Sequence, residues 1–196
     1  MTTFTEQPAY LKHVITHRRT VKPERMNGQQ IPDEQVQELL QLADWAPTHA
    51  YTEPWFFFVY AGEKVKQFCQ DHAELYKKVR GEAYIPGTYD KLATMGDKAS
   101  HVIISVMKRG TNPNIPELEE IASAAAATQN LLLGAAADGI SAYWGSGGMA
   151  YNPAMKEFLG LREEDKVLGV IYLGYSDVTL APGKRTKPLE EKVKWM

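Results

Sequence analysis

Apolar and polar positions follow two rhythms along this chain. In PAYLKHVITHRR, Leu11, Val14, Ile15 and Arg18 recur at helical spacing and predict a helix whose apolar stripe faces a core. IPDEQVQELLQLADWAP repeats the pattern with Val36, Leu39, Leu40 and Ala43; Asp33 takes the N-cap position, and Pro47 stops the helix soon after Trp45. EKVKQFCQDHAELYKKVRG reads as a third amphipathic helix through Val65, Phe68, Cys69, His72, Tyr76 and Val79. ELEEIASAAAATQNLLLGAAADG reads as a long helix whose small residues let neighbours approach closely. Ser123, Thr128, Gln129 and Asn130 make it a buried helix sooner than a membrane span. PWFFFVYAG, HVIISVMK, ISAYWGS and KVLGVIYLGYS are short, β-branched and aromatic, and each reads as a strand. PAMKEFLG is a short helix, residues 80–99 form a loop with short helical pieces, and DVTLAPGKRTKPLEEKVKWM is extended and exposed.

Two helices precede the first strand, and helices and strands do not alternate regularly. That speaks against a doubly wound parallel sheet and for an α+β fold. With no internal repeat, low-complexity tract or linker, residues 1–196 read as one domain. A tail that cannot bury itself in its own domain packs on a partner chain, so an oligomer is expected.

Composition narrows the function classes. With 196 residues, 44% hydrophobic and 23% charged, the chain can build one large core. A formal net charge of -2 lacks the basic excess of a generic nucleic-acid or membrane-surface binder. The one cysteine, Cys69, excludes an internal disulfide framework, falls on an apolar stripe as inert core, and fits a reducing, cytoplasmic compartment. MTTFTEQPAYLKHVI lacks a basic region followed by an apolar run, so no signal peptide is expected.

Three stretches carry candidate chemistry. THRRTVKPERM places Arg18, Arg19, Lys22 and Arg25 close together. A helix C-terminus favours positive charge and explains one arginine. It does not explain the run through Lys22 and Arg25 beside the Thr20 hydroxyl, a set suited to phosphate. In WAPTHAYTEPW, two prolines break the backbone between a helix and a strand, with His49 among aromatic residues. A loop histidine is commonly surface decoration, yet a loop this aromatic should cover something flat and apolar or another subunit. YWGSGGM follows a strand, and its glycines allow either a plain turn or close backbone approach to a ligand. It is not GxGxxG, and no acidic residue follows at the Rossmann spacing. His13 and His17 stand at i, i+4 without an HExxH glutamate or a third ligand, so no metal site is expected. There is no GxSxG elbow, no P-loop and no pair of CxxC motifs.

Taken together, these segments resemble the nitroreductase family of flavin enzymes. HRRTVK is similar to its N-terminal Arg-Arg-Ser-x-Arg signature, with Thr20 in the serine place and Lys22 in the last arginine place. ADWAPTHAYTEPWFFFVY resembles its Ala-Pro-Ser segment running to Gln-Pro-Trp and a strand. SAAAATQNLLLGAAADGISAYWGSG resembles its small-residue helix and flavin-face loop, and GKRTKPLEE its basic C-terminal turn. The four motifs occur in order from about residue 9 to residue 191.

The resemblance implies an α+β fold with a central, mainly antiparallel sheet flanked by helices. It implies an intertwined homodimer holding FMN at the interface, and NAD(P)H as electron donor. Exchange would be ping-pong, passing reducing equivalents to nitroaromatic, quinone or similar flat acceptors. Arg18, Arg19, Thr20 and Lys22 would hold the FMN phosphate, ribityl chain and ring edge. Trp45 and His49 would reach the cofactor from the other subunit. Trp144, Gly145 and Ser146 would border the ring, and Arg185 would assist at the phosphate. No catalytic side chain is expected, because the flavin carries the redox chemistry. Thr48, His49, Tyr51 and Glu53 depart from the common Ser, Asn and Gln pattern and resemble a shorter, histidine-bearing subgroup. Thr186 separates Arg185 from KPLEE, leaving Lys187 as the alternative phosphate contact. Two rivals share the motifs: a non-enzymatic flavin carrier, and another flavin reaction of the family, dehalogenation or flavin fragmentation.

Overall fold

The structure is a computed structural model and describes residues 7–196. Helices α1 (Gln7–His17) and α2 (Asp33–Asp44) precede strand β1 (Trp55–Ala61), followed by α3 (Glu63–Arg80), α4 (Pro86–Thr94) and β2 (His101–Met107). The long α5 (Glu117–Ala137), β3 (Ser141–Gly145), α6 (Pro153–Phe158) and β4 (Lys166–Gly174) complete the set. The strands form one sheet in the order β1-β2-β4-β3, and every pairing is antiparallel. This is the expected α+β architecture, with α4 and a 3-10 turn at Gly81–Ala83 as the short helical pieces of the 80–99 segment.

Period-2 alternation splits the core in two. Central strand β2 is buried along its whole length. Val102, Ile104 and Val106 pack with Phe68, Tyr76, Leu92 and Tyr172 on the α3–α4 face. Ile103 packs with Leu39, Ala43, Leu131, Ile171 and Leu173 on the α2–α5 face. Close approach of α2 and α5 depends on Gly134, where a Cβ would stand 2.6 Å from Leu42 Cδ1.

Two local expectations are corrected. Pro32, not Asp33, occupies the N-cap of α2, and Asp33 Oδ1 instead meets Nε2 of buried His101 at 3.0 Å. On α1 only Val14 of the expected apolar stripe is buried; Leu11 and Ile15 are 56% and 50% exposed, beside exposed Tyr10. The stripe exists, but the described residues do not cover it.

Candidate functional site

The segment after α1 lies along the open edge of β3. Thr20 forms a parallel bridge with Ala142, and the Val21 N–H donates to the Ala142 carbonyl at 3.0 Å. That pairing delivers half-buried Arg18 and Arg19 and exposed Thr20 and Lys22 to the sheet edge. Arg19 Nη1 donates to the carbonyls of Thr16 at 2.7 Å and Arg18 at 2.9 Å, closing the end of α1. Its Nε donates to the Ala181 carbonyl at 3.3 Å, and its guanidinium lies against Gly183, where a Cβ would stand 2.5 Å from Cζ. The C-terminal basic turn, with Arg185 exposed, therefore arrives beside the N-terminal arginines. Among the described residues, no carboxylate pairs with Arg18, Arg19, Lys22, Arg25, Lys184, Arg185 or Lys187.

His13 and His17 border the same region, in a cavity of about 280 Å³ shared with Arg18, Arg19 and Ser141. Their rings stack at 3.9 Å, and His17 Nδ1 bonds to the His13 carbonyl at 2.9 Å. Among the described residues no group of three His, Cys, Asp or Glu gathers to hold a metal.

At the end of β3 the chain turns through Gly145–Gly148. Trp144 is anchored by its Nε1–H, which donates to the Leu168 carbonyl at 3.0 Å. The N–H groups of Ser146, Gly147 and Gly148 meet no acceptor among the described residues. Successive free N–H groups can serve as donors to an anion or a polar ring edge. The next N–H, of Met149, is taken by His72 Nε2 at 2.8 Å. His72 sits on α3 and is 2% exposed. Burial lowers its pKa to about 4, so the ring is neutral at pH 7. Beneath the loop lies a cavity of about 230 Å³ lined by His72, Lys91, Leu92, Tyr143, Gly147 and Tyr172, among others.

The aromatic loop lies elsewhere. Ala50, Tyr51 and Glu53 adopt φ of 50°, 54° and 41°, a left-handed backbone that non-glycine residues rarely take. Thr48 Oγ1 accepts the Glu53 N–H at 3.1 Å and bonds with Thr52 Oγ1 at 2.9 Å, holding the turn. His49 Nδ1 meets the Glu119 carboxylate at 2.6 Å, while Trp45 is 83% exposed. His49 thus borders α5 near Ala122 and Ser123, whereas Arg18 and Arg19 border it near Ala136 and Ala137. From Ser123 to Ala137 is roughly 20 Å of helix. One chain therefore brings together Arg18, Arg19, Thr20 and the basic turn at the β3 edge, with Trp144, Gly145 and Ser146 further along the same strand. It does not bring His49 to them, and Trp45 stands exposed at the C-terminal end of α2.

Comparison with known proteins establishes the family and the fold. The model of the Nitroreductase family matches residues 15–175, and the chain belongs to that family. It is 33% identical over 141 residues to "Putative NAD(P)H nitroreductase YdjA" of Escherichia coli K12, covering 72% of this chain and 75% of that one. A nitroreductase-like family protein from Bacillus cereus superposes with a TM-score of 0.79 at 28% identity, over 100% of this chain and 98% of its own. The FMN-dependent nitroreductase NfnB from Mycobacterium smegmatis, solved in complex with NADPH, shares the fold with a TM-score of 0.69 at 19% identity, over 97% and 99% of the two chains.

The sequence pointed to every segment above except the partner of the glycine loop. His72 is one polar residue inside an apolar helical stripe; that misfit was the available signal, and the loop it meets is 77 residues away.

Proposed function

We propose that this protein is an FMN-dependent oxidoreductase that takes reducing equivalents from NAD(P)H and delivers them to flat acceptors such as nitroaromatics and quinones. The observation that carries the reading is the group of cations at the β3 edge that meet no carboxylate among the described residues, with, just past the end of β3, the run of N–H groups at Ser146–Gly148 that meet no acceptor among them. A phosphate answers the first and the polar edge of a flavin ring answers the second, so the residues present fit FMN. When bound, the flavin supplies the hydride chemistry, and donor and acceptor use its face in turn.

The chain's own groups bind and orient. Arg18, Lys22 and Arg185 offer charge to the phosphate, with Lys187 as the alternative to Arg185; Thr20 offers a hydroxyl. Arg19 spends three of its five N–H donors on carbonyls and keeps the two of Nη2 for the phosphate. Trp144, Gly145 and Ser146 border the ring. His49 stands about 20 Å away along α5, which supports a site completed by a second copy of the chain. The uncovered apolar residues Tyr10, Leu11 and Ile15 of α1 give such a copy a surface to bury. The reading is tested by titrating the purified protein with FMN. A yellow complex with a raised melting temperature is expected, since a ligand bound only by the native state stabilises it. Excess FMN without either change overturns it.

A further inference from the structure

Among the described residues the glycine loop makes one hydrogen bond to the α3–α4 side of the molecule, to a histidine, just before Met149 and Ala150 bury their side chains in that core. Met149 N–H donates to His72 Nε2 at 2.8 Å. An imidazole nitrogen that accepts must be unprotonated, so the proton of neutral His72 sits on Nδ1, which is buried and has no partner among the described residues. Leaving a buried donor unpaired costs free energy, so the site keeps a histidine here at a local expense. The contact is also shaped from the loop side. Gly148 adopts φ of 65°, and a Cβ there would stand 2.5 Å from His72 Nε2 and 2.9 Å from Leu92 Cδ2. Only glycine lets the loop sit this far down on the imidazole.

The consequence concerns the preceding residues. Ser146, Gly147 and Gly148 present their N–H groups with no acceptor of their own. A glycine-rich run with nothing to hold it samples many conformations, and its donors then converge on a ligand only at an entropic cost. Fixing the fourth N–H of the run limits the orientations of the other three. We infer that His72 is a positioning residue: a neutral, buried acceptor that latches the Gly145–Met149 loop so that its free N–H groups are aligned for the polar edge of the bound flavin. The inference rests on the FMN reading above, and it adds a residue on α3 that does not touch the cofactor.

The test uses three variants of the full-length protein. His72→Leu removes the acceptor while keeping an apolar filler. His72→Gln places an amide oxygen near the position of Nε2 and can accept the Met149 N–H. Gly148→Ala disturbs the same contact from the loop, and serves if His72→Leu does not fold. Amide exchange of the bonded loop N–H groups, Met149 and Ala150, is read in the FMN-free protein. FMN affinity and the visible absorption bands of the complex are read separately. Loss of the latch should speed loop exchange and weaken FMN binding about fivefold to tenfold, with altered flavin bands, in His72→Leu and Gly148→Ala. His72→Gln should restore exchange, affinity and bands towards wild type. Faster loop exchange with unchanged FMN affinity and bands would show a latch that does not serve the cofactor, and would overturn the inference. Unchanged exchange in His72→Leu would do the same. A wild-type protein that binds no FMN overturns the flavin reading and the inference together, a result distinct from the other two.

Discussion

Arg19 Nε donates to the carbonyl of Ala181, 162 residues away in sequence, and with that bond the segment after α1 and the segment after β4 meet at the edge of β3. Its neighbour Arg18 makes no side-chain bond among the described residues and keeps its donors free. The two arginines should therefore separate on mutation. Arg18→Ala should weaken FMN by about tenfold to a hundredfold, since a charge-assisted hydrogen bond contributes roughly 1.5–3 kcal/mol, and leave the melting temperature of the FMN-free protein unchanged. Arg19→Ala should also free the tail, seen as faster limited proteolysis within residues 178–190. Replacing both should weaken FMN far more than replacing both His13 and His17. Equal losses in the two double variants would remove the arginines from the phosphate site.

Acidification should destabilise the protein in two stages. His72 has its pKa lowered from 6.5 to about 4 by burial. Between those values the unfolded chain binds a proton that the native chain refuses. Stability therefore falls as pH drops from about 6.5 to about 4, by about 3 kcal/mol in all. Below that, Asp165 takes over. Burial alone would raise its pKa, but hydrogen bonds from the Arg162 side chain and from the N–H groups of Arg109 and Arg162 outweigh burial and hold it below the usual carboxylate value. Its contribution is present above pH 4 and is lost as pH falls through its native pKa. Urea unfolding across pH 7 to 3 reads both stages, and His72→Gln should flatten only the upper one.

Glu120 should be the costliest carboxylate to remove. It is buried, pairs with Arg109 Nη1, and accepts the Gly110 N–H at 3.1 Å. Glu120→Ala leaves a part-buried guanidinium without its partner, which costs on the order of 3–5 kcal/mol. The exposed His49–Glu119 pair contributes about 0–1 kcal/mol to folding. Chemical unfolding of Glu120→Ala and Glu119→Ala should show that contrast; similar losses would contradict it.

What the sequence disclosed, and what it hid, divides by the range of the interaction. The strands and the helices α2, α3 and α5 announce themselves because periods of 2 and 3.6 residues are local properties, and burial follows them. The stripe on α1 was visible too, but periodicity cannot say whether a face meets its own core or another chain. Asp33 had the chemistry of a cap, yet its carboxylate is drawn to His101, 68 residues on. The cation cluster was legible as composition; that Gly183 packs against Arg19 was not. His72 was hidden for the same reason, since an acceptor is recognised only once its donor is in place.

The last prediction concerns sharing of the site between chains. Arg18 and Arg19 lie near the C-terminal end of α5, and His49 is held near its N-terminal end by Glu119. If the two groups serve one flavin, they come from different copies. In a two-fold dimer each chain then contributes equivalently to both sites. One variant carries Arg18→Ala and Arg19→Ala, another Trp45→Ala and His49→Ala, and each homodimer has two damaged sites. When equal amounts are unfolded and refolded together, a hybrid dimer collects all four changes in one site and none in the other. Random mixing makes roughly half the dimers hybrid, so about one site in four should regain FMN. Hybrid dimers that form without regaining any flavin would place both segments in the same chain's site, and the second copy would have no part in holding the cofactor.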